Sequence, residues 1–99
     1  MIRYTTPTIT FSLPFEASYL TAAYITINQQ TRLFEKTLDD CTISGDTLSV
    51  ALTQEETGNM KAGMPVKVQL RCIGNDGKAY ASKQFKLEIE DVLREGVIG

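Results

Sequence analysis

The side chains able to do chemistry are few, and their types limit what that chemistry could be. The chain contains no histidine, so it lacks the usual general base near neutral pH, the commonest metal-binding nitrogen and the base of most hydrolase triads. Its paired carboxylates stand at Asp39-Asp40 and Glu55-Glu56. Such pairs could offer oxygen ligands to calcium or act as acid and base on a glycosidic bond. Neighbouring residues of a strand point to opposite faces, so neither pair makes a ready carboxylate site, and a glycosidase needs a deeper cleft than so short a chain builds. Turn and cap roles are expected for both.

Gly74-Asn75-Asp76-Gly77 has the glycines of a phosphate loop without the lysine and helix that must follow, and it reads as a hairpin turn. Tyr4, Tyr19, Tyr24 and Tyr80 could form a sugar-binding platform, but there is no tryptophan and no clustering along the chain. They are expected at the edge of the core with their hydroxyls in water. Cys41 and Cys72 belong to no CxxC pair and read as free thiols packed as small hydrophobes, with a disulfide between two sheets as the alternative. The expectation is therefore a chain that is not an enzyme, with no cofactor, no metal and no small-molecule substrate.

Charge narrows the partners. Ten lysines and arginines are interleaved with twelve acids for a net charge of −2, whereas a nucleic-acid binder gathers cations on one face to displace counterions from phosphates. No apolar run approaches the roughly 18 residues that span a bilayer. The first residues, Met1-Ile2-Arg3-Tyr4-Thr5-Thr6-Pro7, lack the apolar core and cleavage site of a signal peptide. Neither nucleic acid nor membrane is expected as a partner, and synthesis is expected to end in the cytoplasm.

The elements that must position these residues are strands. In 99 residues, 42% hydrophobic and 22% charged, one domain spanning 1–99 can bury roughly 60–70% of its unfolded surface, enough for a single core. Ile9, Phe11 and Leu13 alternate with Thr8, Thr10 and Ser12 up to Pro14. Ala23, Ile25 and Ile27 alternate with Tyr24 and Thr26, and Gln29-Gln30-Thr31 reads as a polar connection. Arg32 to Leu38 has mixed faces and reads as an edge strand, where Lys36 would discourage pairing. Cys41–Ser44, Gly45-Asp46 and Thr47–Leu52 form a hairpin pattern.

Thr53-Gln54-Glu55-Glu56 matches a capping box and predicts a short helix near Gln54–Met60, with Met60 and Met64 tucked toward the core. Val66, Val68, Leu70 and Cys72 make the cleanest alternation. In the returning run Ala79 and Ala81 share the parity of Phe85, Leu87 and Ile89, and Tyr80 opposes them, so a ribbon without a bulge is expected. The sum is all-β: an antiparallel Ig-like β-sandwich of about seven strands with one short helical crossover. The absence of tryptophan between the cysteines speaks against an antibody-type domain.

After that last strand, Val92, Leu93, Val97 and Ile98 put four large aliphatics in a short tail. They are the candidate protein-contact residues. One reading folds them back as a further edge strand, and the other docks them on a neighbouring subunit.

Several stretches carry a resemblance: Leu52-Thr53-Gln54-Glu55-Glu56-Thr57, Ala62-Gly63, Val66-Lys67-Val68-Gln69-Leu70-Arg71, Asp76-Gly77-Lys78-Ala79 with Ala81-Ser82, and Val92-Leu93-Arg94-Glu95-Gly96-Val97-Ile98. Together they resemble small proteins encoded in phages and prophages of Gram-positive bacteria. They are similar also to the N-terminal domain of upper baseplate proteins from siphophage tails. Pro7-Thr8-Ile9 and Leu13-Pro14 extend the likeness into the first half.

The resemblance implies a structural or assembly module of tail or baseplate type. Its partners would be other phage structural proteins, with association into a homo-oligomer, and it would be made in the bacterial cytoplasm and then held in the virion. Upper baseplate proteins continue into a long extension and this chain stops at Gly99, so a stand-alone adaptor is expected. The alternative is a stand-alone Ig-like binding domain for a cell-surface protein or carbohydrate.

Overall fold

The computed structural model describes residues 1–99, the side chain of Arg32 excepted. Two strands with strict alternation form its centre. In β2 (Leu20–Gln29) and β6 (Val66–Gly74), Ala23, Ile25 and Ile27 face Cys72, Leu70 and Val68 across an antiparallel ladder. These side chains are buried. On the far side of β2, β3 (Arg32–Thr37) returns after a tight turn in which Gln30 adopts a positive φ of 54°. On the far side of β6 lie β7 (Ala79–Ala81) and β8 (Phe85–Leu87).

The second sheet is smaller. Its order is β1 (Thr8–Ser12), β5 (Thr47–Ala51), β4 (Cys41–Ser44), all antiparallel. Ile9, Phe11, Leu48 and Val50 form its inner row and close the core. Gly45, at φ 57°, makes the β4–β5 turn. The two sheets form an all-β antiparallel sandwich. Its orders β1-β5-β4 and β3-β2-β6-β7 follow the B-E-D and C′-C-F-G arrangement of Ig-like domains, with no strand in the A position. Consequently β1 is an edge. The chain segment before it instead makes a parallel bridge, Ile2 to Glu90, beyond β8.

The crossover between sheets is the expected capped helix, α1, but it spans Gln54–Gly58 and so ends before Met60. Thr53 Oγ1 accepts from Glu56 N at 3.1 Å and Glu56 Oε1 accepts from Thr53 N at 2.8 Å. Met60 is buried and Met64 half-buried. A second capping box, unread in the sequence, uses Asp40, whose carboxylate accepts from Thr37 N at 2.9 Å at the head of a 3-10 turn over Leu38–Asp40.

Two sequence expectations are corrected here. Gln29 is not a polar connection: it ends β2 facing inward and is buried, donating to Lys61 O and Met64 O and accepting from Lys61 N. Strand β3 is the expected edge, with Lys36 on its inner side beside Phe34 and its ammonium 2.7 Å from Glu56. The returning strand also has a bulge. Tyr80 pairs with Cys72 while Phe85 pairs with Val68, a one-residue shift that turns Tyr80 toward the core and leaves Ala79 and Ala81 exposed. The bulky ring takes the inner position that parity had given to the small alanines.

Ser82 keeps β6 satisfied across that break. Its N–H donates to Leu70 O at 2.8 Å and its hydroxyl accepts from Leu70 N at 2.9 Å, while its carbonyl accepts from Gln69 Nε2. Replacing Ser82 by alanine leaves the Leu70 amide without an acceptor inside the sheet, and a lost partner of this kind costs about 1–3 kcal/mol. Urea unfolding of Ser82→Ala is expected to show that loss, and an unchanged midpoint would contradict the role given to the hydroxyl.

Cys41 and Cys72 are both free thiols. Burial raises the pKa of each; beside Cys41, Asp40 adds to the rise and Lys36 opposes it. Cys72 is buried and Cys41 half-buried. Thiol titration of the folded protein is therefore expected to be slow, with Cys41 ahead of Cys72 and both fast on unfolding. A mass two hydrogens short under non-reducing conditions would overturn it.

Candidate protein-contact surface

Thr57, in the single turn of α1, is fully buried. Its hydroxyl donates to Thr5 O at 2.8 Å and accepts from Thr5 N at 3.0 Å, which binds the start of the chain to the helix as a backbone ladder would. The next helical residue is Gly58, where a Cβ would overlap the Tyr4 ring and displace it. Tyr4 itself sits at φ 58°, a conformation non-glycine residues adopt rarely. That turn sends Arg3 back along α1, its guanidinium 5.1 Å from the centre of the Tyr4 ring.

Arg3 gathers three partners. It donates to Gly58 O at 2.7 Å, to Asp91 Oδ1 at 2.7 Å and to Glu95 Oε1 at 3.0 Å. Its side chain is mostly buried, and Nε has no partner among the described residues. Around it the backbone is bonded in sequence: the Met1 amine donates to Glu88 O, Glu90 N to Met1 O and Arg3 N to Glu90 O. Asp91 Oδ1 also accepts from Val92 N at 2.8 Å. Further along, Gly96 adopts φ 105°, and Gln54 holds Ile98 by two bonds of 2.9 Å, one to its carbonyl and one from its amide.

The tail is thus pinned near both ends by polar contacts while its aliphatics stay outside. Leu93 is completely exposed, Val97 54% and Ile98 64%. Val92 is half-buried. Of the four candidate contact residues, three face water and Val92 packs partly inward. Residues 92–99 form no strand. The clasp residues Arg3, Thr57 and Gln54 were not read from the sequence. A lone arginine near the start of a chain carries no spacing signal, and Gln54 reads as an ordinary first-turn helix residue.

The other candidate residues stand apart from this tail. Asp39-Asp40 and Glu55-Glu56 serve turn and cap roles, and among the described residues no group of three or more His, Cys, Asp or Glu could hold a metal. Tyr19 and Tyr24 are half-exposed, Tyr80 packs edge-on against Phe15, and Tyr4 lies on Gly58. A shallow depression of about 460 Å³ lies on the outer face of the larger sheet, lined by Tyr24, Arg71, Ile73 and Ala79 among others. A smaller one of about 270 Å³ lies by α1, between Phe34, Glu56 and Met60.

The clasp titrates. The hydrogen bond from Arg3 and that from Val92 N hold Asp91 below the ordinary aspartate range. Burial pushes Glu56 up, but hydrogen bonds from Lys36 and Thr53 outweigh it and leave the carboxyl below its usual value. Both carboxyls are lowered by folding, so their stabilisation is complete above the ordinary carboxylate range and is lost as pH falls through the lowered values. The urea midpoint is expected to decline below about pH 4. In Arg3→Gln, the Asp91 carboxyl, followed by NMR, is expected to return toward its ordinary value. An Asp91 titration that ignores the substitution would contradict the pairing.

No known family model matches the chain, and neither does any curated protein or solved structure.

Proposed function

We propose that this chain is a non-catalytic structural or assembly module of a phage particle, an adaptor of tail or baseplate type, acting through protein–protein contacts made by its tail. The observation that carries the reading is the exposure of Leu93, Val97 and Ile98 on a segment that polar contacts hold in place. Each exposed aliphatic forgoes roughly 1.5–3 kcal/mol of burial, which a partner's apolar surface would recover. A segment already fixed by Arg3 and Gln54 loses little further freedom on docking, and such preorganisation favours binding. The resemblance of Thr53–Thr57, Val66–Arg71 and Val92–Ile98 to small phage and prophage proteins supplies the biological setting.

The tail contributes no sheet pairing of its own, so its removal tests the reading. Deleting residues 92–99 is expected to leave a β-type spectrum and a cooperative unfolding transition. The same deletion, or Leu93→Glu with Ile98→Glu, is expected to abolish co-sedimentation with phage particles or assembly intermediates from the producing strain. Full-length protein that stays free of those fractions would count against the proposal, and so would tail variants that co-sediment as well as the parent.

A further inference from the structure

The vacant A position leaves a particular kind of edge. Leu52 N donates to Pro7 O at 2.9 Å and Leu13 N to Asp46 O at 2.8 Å. In an antiparallel ladder this fixes which residues bond inward. The odd residues of β1 turn their backbone groups to β5, and Thr8, Thr10 and Ser12 turn theirs to open solvent. All three are exposed.

The other edges are blunted in ways proteins commonly use. Edge strand β3 carries Glu35 and Lys36. The β7–β8 edge is interrupted by the bulge and carries Lys83 and Lys86. Strand β4 is short, and its first amide is already engaged with Leu38 O. Strand β1 has none of these devices. Thr-Ile-Thr-Phe-Ser has no charge, no proline and no bulge.

Its pattern is also self-complementary. An antiparallel copy centred on Thr10 sets Thr10 against Thr10, Thr8 against Ser12 and Ile9 against Phe11. Every outward N–H then meets the symmetry-related carbonyl, with hydroxyls on one face and apolar side chains on the other. Pro14, the next outward position, has no N–H, so pairing that slides past it loses a bond. Across the sandwich Phe11 meets Phe85 at 5.8 Å, and Phe85 and Leu87 remain half-buried. A strand added beside β1 would cover that side of the core.

We propose that β1 is the contact by which a second copy of this chain adds edge to edge, antiparallel about a two-fold axis at Thr10, joining the two small sheets into one. Such a contact is isologous and closes on itself. It lies apart from the tail and does not depend on the function proposed above.

Sedimentation of the full chain from micromolar to millimolar concentration is expected to show the mass doubling. Over the same range the amides of Thr8, Thr10 and Ser12 are expected to slow in hydrogen exchange by about tenfold or more. Thr10→Lys sets like charges against each other across the axis and is expected to restore the monomer and fast exchange without changing the β-type spectrum. Thr8→Lys gives the same readout if Thr10→Lys does not fold. Thr42→Lys on β4 and Leu93→Glu on the tail are expected to leave the dimer intact. Several results would overturn the proposal: a monomer at millimolar concentration, a dimer with those three amides unprotected, protection that appears only with a different protein, or a dimer broken by Thr42→Lys or Leu93→Glu but not at Thr10.

Discussion

The ladder between β2 and β6 is the constraint on which the rest of this molecule depends. It sets Ile25 against Leu70 and Ile27 against Val68 with almost no exposure, so its register and its burial are one requirement. A slip of one residue would turn inward either Tyr24 and Thr26 or Gln69 and Arg71, and burying their polar groups is costly. With the register fixed, β3 and β7–β8 take positions on either side, and Leu48 and Val50 of the opposite sheet have a flat apolar row to pack upon. Even Gln29, at the end of β2, follows from it. Alternation turns that residue inward, and three bonds to Lys61 and Met64 satisfy the amide that results.

A second set of contacts closes the sandwich at one end and is chemically different. There the chain start, α1 and the tail are joined by Thr57, Arg3 and Gln54 through hydrogen bonds and ion pairs more than by packing. The carboxylates that pair with Arg3 are exposed to solvent, and such pairs contribute little to global stability, so this region is suited to positioning and less to holding the domain together. A tail held in this way keeps Leu93, Val97 and Ile98 in solvent while the core stays closed beneath it.

Most of the fold was legible because its strands alternate cleanly and its turns use glycine where a positive φ is needed, at Gly45 and Gly77. The helix was legible through Thr53 and Glu56, though its length was overread because Met60 continues the apolar spacing after the last helical turn. The β7–β8 segment was misread for a different reason. Parity alone cannot weigh a tyrosine against two alanines, and the polar run Ser82-Lys83-Gln84 was the available sign of a break. The tail was visible as a cluster of aliphatics, but its clasp was not. Arg3 and Asp91 are brought together only by the parallel bridge between the two ends of the chain, and no local spacing encodes that.

The bulge at Ser82 bears on how this sequence can change over time. On its two sides the strand shows opposite parities to the core, Tyr80 before it and Phe85 after it. Between them lies one residue more than the facing stretch of β6. Losing a single residue there would make the parity of Tyr80 continuous with that of Phe85 and Leu87, giving a regular ladder with the same side chains facing the core. The bulge is thus a one-residue allowance in the reading frame of this strand, a place where chain length can change by one while the facing of the positions that follow is kept.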